Sequence, residues 1–192
     1  GLEPAIKPAL AVTKTGHVGV IGTRGTLTSA KFGKLLASLT DQAHFVVHPC
    51  DGLAHAIERS VALPVADQGS PVHATETGAL CARYVQAMGS FGTAPGQMDT
   101  LVLGCTHYIF VAHELRALVG PGVQFIETGE PVARQTRRLL ETAGLQAAPD
   151  GAVVTDAPRT RLLTTGPVAM LQAAAERWLG LPADCCETVS VP

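Results

Sequence analysis

The stretch "LVLGCTHYIF", residues 101–110, decides how the rest of the chain is read. An apolar, β-prone run stops at Gly104. Cys105, Thr106 and His107 follow in consecutive order before a helical pattern resumes. Parallel α/β sheets bind their ligands just beyond the carboxyl ends of strands, and this triplet stands at such an end. Three readings of it are open. It is part of an active site, half of a metal-ligand set, or a buried strand end with a capping threonine.

The same alternation extends in both directions. "HVGVIG" (His17–Gly22) is apolar, β-branched and glycine-bounded, which predicts a buried strand. Phe32, Leu35, Leu36 and Leu39 then share a helical face. "HFVVHP" (His44–Pro49) is the next strand, and Asp51 is placed to cap a short helix carrying Leu53, Ala54 and Ile57. A helix is predicted over 75–88, then a Gly/Pro-rich loop over 89–97 leading into the strand "DTLVLG". Beyond the triplet come a helix over 111–119, the strand "VQFIET", and a helix opened by Glu130 and Pro131 with Val132, Thr136, Leu139, Leu140 and Ala143. "AAPDGA" (147–152) reads as a surface loop and "TRLLTTG" as a strand. Pro167 starts a final helix with Val168, Leu171 and Trp178 facing inward, and "ETVSV" is a terminal strand. Regular strand–helix alternation predicts an α/β fold with mostly parallel strands.

Composition narrows the function classes. Hydrophobic residues make up 46% of the 192 and charged residues 16%, which argues for a compact, soluble body and against disorder. The net charge is −2, and neither half of the chain has the basic excess of a nucleic-acid binder. No apolar run is long enough for a transmembrane helix. Five cysteines at irregular spacings do not suggest a disulfide framework, so a reducing cytoplasm is expected. The chain begins at Gly1, and "GLEPAIKPAL" reads like the middle of a longer protein.

Three strand ends carry chemistry. Thr23 and Thr26 flank Arg24-Gly25 after the first strand, where two hydroxyls and free helix N–H groups suit a carboxylate or phosphate; the bland reading is that Thr26 or Thr28 is an N-cap. Cys50 follows the second strand and reads as buried and inert. Glu58, alone on a helix, reads as a solvated side chain. Cys105 is expected to feel a helix N-terminus and a nearby imidazolium, both of which favour thiolate, the form that attacks carbon or accepts a proton. A metal set drawn from His48, Cys50, Cys105 and His107 lacks the Cys pairs two to four apart that structural zinc sites favour, so no metal is expected. Cys185-Cys186 lies near the terminus with no neighbouring histidine. No dinucleotide fingerprint or phosphate-binding loop is present, and no cofactor is called for.

At this point the residues are similar to those of a known family. "GLEPAIKPAL", "VGVIGTRGTLTSAKF", "CDGLAHAIE", "LVLGCTHYIF" and "IETGEPVARQTRRLL" resemble, in order, successive blocks of the glutamate racemases, cofactor-independent enzymes that make D-glutamate for peptidoglycan. The resemblance implies two α/β domains facing each other across the site, and two cysteines that serve opposite faces of the substrate α-carbon. Cys105 would be the second of these. Thr106 and His107 would hold the substrate and assist the thiol, Thr23 and Thr26 would lie near the substrate, and Glu58 beside the site. Glutamate is the implied substrate, and a homodimer is compatible with the family.

Two departures accompany this likeness. Ile109 stands where the family usually has proline. The family's N-terminal motifs, including the first cysteine followed by Asn-Thr, do not occur in this sequence. The resemblance therefore implies a chain lacking the N-terminal portion, with 2–127 as the middle domain and 128–192 as part of the second. Such a chain alone is expected to be inactive and to leave apolar helix faces uncovered. The competing expectation is a non-catalytic binding or interaction module on a racemase scaffold.

Overall fold

Near-continuous apolar runs in the central strands build the centre of the molecule. A computed structural model describes residues 3–62, 72–146 and 160–191. Strands β1 (His17–Gly22), β2 (His44–Pro49), β3 (Thr100–Leu103) and β4 (Gln124–Ile126) form one parallel sheet in the order β2-β1-β3-β4. Val18, Val20 and Val102 point to one face and pack with Ala5, Ile6, Ala9 and Phe32. Ile21, Leu101 and Leu103 point to the other and pack with Leu53, Ile57, Cys81, Tyr84 and Leu115. Successive side chains of a strand alternate faces, so a sheet buried on both sides reads as a continuous apolar run.

Helices cover both faces. α1 (Glu3–Val12) and α3 (Ala30–Ala37) lie on the first; α4 (Leu53–Ser60), α5 (Glu76–Met88) and α6 (Ala112–Val119) lie on the second. α2 (Arg24–Leu27) is a single turn after β1. At the sheet's amino end Asp99 ties the α1–β1 loop to β3. It accepts hydrogen bonds from the Thr13 hydroxyl (2.6 Å), the Lys14 and Thr15 amides (2.6 and 2.9 Å) and the Thr100 hydroxyl (3.0 Å). Burial alone would raise this carboxyl's pKa, but the four donors outweigh it and hold the group below the usual range.

Beyond β4 the packing thins. α7 (Gly129–Thr142) buries no residue, and Leu139 and Leu140 are exposed. β5 (Leu162–Thr164) and β6 (Cys186–Thr188) form a separate two-stranded parallel sheet against α8 (Val168–Ala174). A small cluster of Ala175, Cys185 and Cys186 with Leu162, Val168, Leu171 and Leu181 holds it together.

Several expectations need correction. Asp51 does not cap α4; Gly52 occupies that position with φ of 78°, and Asp51 pairs with Arg24 instead. Neither Thr26 nor Thr28 is an N-cap, since Ser29 caps α3 by accepting from the Phe32 amide. The last strand begins at Cys186 and ends at Thr188, because β5 itself ends at Thr164, whose carbonyl accepts the closing hydrogen bond from the Val189 amide. The final helix widens into a π-turn at Ala175–Leu179, and it is this turn that carries Trp178. The loop expected at 147–152 lies outside the described residues.

Candidate active site

Strand order brings the chemistry together. The chain enters at β1, steps outward to β2, then crosses back to β3 on the other side of β1. Such a reversal leaves a crevice at the carboxyl ends of the two central strands. The ladder continues just past them: the Gly104 amide donates to the Ile21 carbonyl (2.7 Å) and the Cys50 amide to the Gly22 carbonyl (2.9 Å). Thr23, Cys50 and Cys105 therefore emerge side by side from three adjacent strands.

Cys105 is half-buried. Its Sγ lies 3.6 Å from His107 Nδ1, and His107 Nε2 lies 2.9 Å from Glu58 Oε1. Glu58 reaches from α4, 49 residues away in sequence. A thiol, an imidazole and a carboxylate thus stand in line. A carboxylate on one ring nitrogen orients the imidazole, which leaves the other nitrogen facing the thiol. Glu58 was read from sequence as a solvated side chain; it is solvated, and it also holds His107.

The expected thiolate is not what the fold favours at rest. Burial pushes the Cys105 thiol above its ordinary pKa; the His107 backbone N–H pulls it down, and the charge of Glu58 pushes it further up. The expectation of a helix N-terminal field fails for a local reason. The residues after His107 form a 3-10 turn (Tyr108–Val111) before α6 begins, so the helix start lies further along the chain and the backbone N–H that pulls on the sulfur is that of His107.

Thr23 and Thr26 share a hydroxyl–hydroxyl hydrogen bond of 2.9 Å across the turn of α2. Beside them Arg24 and Asp51 form an exposed ion pair, which holds the Asp51 carboxyl below its usual range. Thr106 is exposed and lines a cavity of about 110 Å³ with Leu103, Cys105, Glu127 and Thr128. Glu127 and Thr128, at the end of β4, escaped the sequence reading as site residues. Their position one and two residues past a strand in "IETGE" was the available signal. Ile109 is exposed on the 3-10 turn, at the rim of the same cavity.

The other thiols are quiet. Cys50 and Cys81 are buried, and desolvation pushes both pKa values from 9.0 up to about 12. Cys185 and Cys186 are buried with their sulfurs 3.8 Å apart. Among the described residues, no three His, Cys, Asp or Glu side chains converge as metal ligands. None of the described helices is long and apolar enough to cross a membrane.

No family model matches the chain. Individual relatives do. It is 38% identical over 180 residues to glutamate racemase of Ectopseudomonas mendocina, covering 94% of this chain and 60% of the relative. It is 42% identical over 145 residues to glutamate racemase of Methylococcus capsulatus, covering 76% of this chain and 48% of the relative. The chain is a relative of the glutamate racemases. Its fold agrees: the crystal structure of glutamate racemase isoform RacE1 from Bacillus anthracis superposes with a TM-score of 0.73 at 28% identity, covering 100% of this chain and 64% of that one. The Escherichia coli glutamate racemase, solved with L-glutamate and an activator, matches in fold with a TM-score of 0.67 at 22% identity, covering 98% of this chain and 63% of that one. The racemase-like chain thus spans roughly half to two thirds of the length of the proteins it matches.

Proposed function

We propose that this chain supplies one side of the active site of a cofactor-independent glutamate racemase, with Cys105 as the proton carrier. The carrying observation is the line from Cys105 through His107 to Glu58 at the carboxyl ends of the central strands. In one direction the Cys105 thiolate takes the α-proton of glutamate and becomes a thiol, while a group on the opposite face delivers a proton. In the other direction Cys105 is the donor. The two steps balance, and no cofactor enters.

The resting thiol must lose its proton before it can act as base. His107 Nδ1 is the acceptor nearest the sulfur, and Glu58 stabilises the imidazolium that results. The pair then favours thiolate once substrate has excluded water and strengthened the local electrostatics. Thr23, Thr26 and Thr106 hold the substrate's carboxylate and ammonium groups.

Inversion requires a proton from the face opposite to abstraction. We assign this to a second thiol, and no other described cysteine is suited to it, because Cys50, Cys81, Cys185 and Cys186 are buried. On this reading 2–127 form one domain of the site and 128–192 belong to the other. The chain by itself is expected to leave glutamate enantiomers unconverted.

Two measurements test this. In the protein that carries this segment, Cys105→Ser is expected to reduce racemisation to background; full activity would refute the role of Cys105. In deuterated water the isolated chain is expected to give no interconversion of enantiomers. Robust interconversion would refute the need for an opposing thiol.

A further inference from the structure

The two elements that carry His107 and Glu58 are both gripped by a third, the π-turn at Ala175–Leu179 near the end of the chain. Trp178 stacks on Phe110, with ring centroids 4.2 Å apart and planes inclined by 12°. Phe110 sits on the 3-10 turn after the catalytic triplet, and its amide donates to the His107 carbonyl (3.0 Å). The neighbouring Arg177 donates from Nη1 to the Ser60 carbonyl (2.6 Å). Ser60 is the last residue of α4, two positions after Glu58, and its hydroxyl is bonded to the Ile57 carbonyl (2.7 Å).

Adjacent residues of one turn thus hold the end of α4 and the turn after Cys105. The Glu58–His107 contact bridges those same two elements. We propose that Arg177 and Trp178 are positioning residues for the Cys105–His107–Glu58 line, a role that rests on the proton-transfer reading of that line. The π-turn supports it. A single π-turn within a helix is rare and is found frequently at functional sites. Here it presents consecutive side chains to two different elements, while Ala175 keeps the turn anchored in the small cluster with Cys185 and Cys186. Trp178 itself packs against the main core.

Loosening this grip frees the turn over Tyr108–Val111. The His107 amide and imidazole then drift from the sulfur, and the downward pull on the Cys105 thiol is lost. The titratable groups around the thiol are His107, Glu58, Cys50 and Tyr108, with Glu127 on the wall of the same cavity; of these His107, Glu58 and Tyr108 sit on the two gripped elements.

The test uses the whole 192-residue chain. Alkylation of Cys105 by iodoacetamide is followed by peptide mass across a neutral-to-alkaline pH series, with circular dichroism and thermal melting as fold controls. Trp178→Ala and Arg177→Met are expected to move the midpoint upward by about half a unit, slowing alkylation at neutral pH about threefold. Trp178→Phe, which keeps a stacking ring, is expected to restore the parent profile. Folded Trp178→Ala and Arg177→Met variants with the parent profile overturn the proposal. If Trp178→Ala does not fold, Arg177→Met decides alone.

His107→Ala separates the two levels. If it leaves the Cys105 profile unchanged, the proton-transfer line itself fails. If it shifts the profile while the folded tail variants do not, only the positioning role fails. Coupling is reciprocal, so His107→Ala is also expected to change the emission of Trp178, the one tryptophan in the sequence. Unchanged emission counts against the grip.

Discussion

The sheet that ends at β4 and the segment that follows it are held by different forces. In the first, four strands are covered on both faces, and Leu101, Val102 and Val20 are fully buried. In the second, α7 has an apolar stripe with nothing buried beneath it. Its intrahelical support includes ion pairs four residues apart, Glu130–Arg134 and Arg137–Glu141. Exposed pairs of this kind contribute only about 0.3–0.5 kcal/mol each, whereas a buried leucine contributes several times more. The candidate site stands on the well-packed side, and its geometry inherits that rigidity. The second region meets the elements around the site through contacts that include the Phe110–Trp178 stack.

That contrast can be broken experimentally. Leu101→Ala should cost about 3–4 kcal/mol in chemical denaturation, because it opens a cavity between two fully packed layers. Leu140→Ala on α7 should cost less than about 0.5 kcal/mol, the usual range for surface changes. Equal costs would mean that α7 is buried in the folded protein. Next in size, Asp99→Asn should lose about 2 kcal/mol at neutral pH through weakened charge-assisted hydrogen bonds. The sign of its pH dependence follows from a lowered carboxyl pKa. That stability is present above the unfolded value and lost as pH falls through the folded one, so variant and parent should converge in acid. A gap that persists in acid would show that Asp99 acts by shape alone.

Smaller than the Asp99→Asn effect at neutral pH is that of Cys81→Ala, about 1 kcal/mol. Its use lies at high pH. The thiol's folded pKa is raised from 9.0 to about 12, so its contribution is whole below 9.0 and is lost as pH rises toward 12. The variant should show a flatter loss of stability over that window in pH-dependent melting. An unchanged slope would place Cys81 outside the packed layer.

Much of the fold was legible because its signals are local. "VGVIG" and "LVLG" carry no charged or polar side chain, the mark of strands buried on both faces, and β1 and β3 formed close to where those runs lie, as did β2 at "HFVVHP". The triplet after Gly104 pointed to the carboxyl end of the sheet for the same reason. Asp51 was misread because a capping residue and a salt-bridge partner look alike in one dimension. Arg24 lies 27 residues before Asp51 in sequence and meets it only through the β1–β2 pairing. Glu127 and Thr128 were passed over because a strand end declares itself only when its neighbour is known.

Sequence alone determined the order of strands and helices, the parallel α/β class, and the placing of Cys105, Thr106 and His107 at a strand end. These depend on side-chain periodicity and on glycine and proline stops, which act over a few residues. Tertiary structure alone decided that Glu58 meets His107, that Arg177 and Trp178 reach α4 and the turn after Cys105, and that the Cys105 thiol is pushed up rather than down. Those outcomes depend on which distant residues pack together and how much water their packing removes, and neither quantity is written in local pattern.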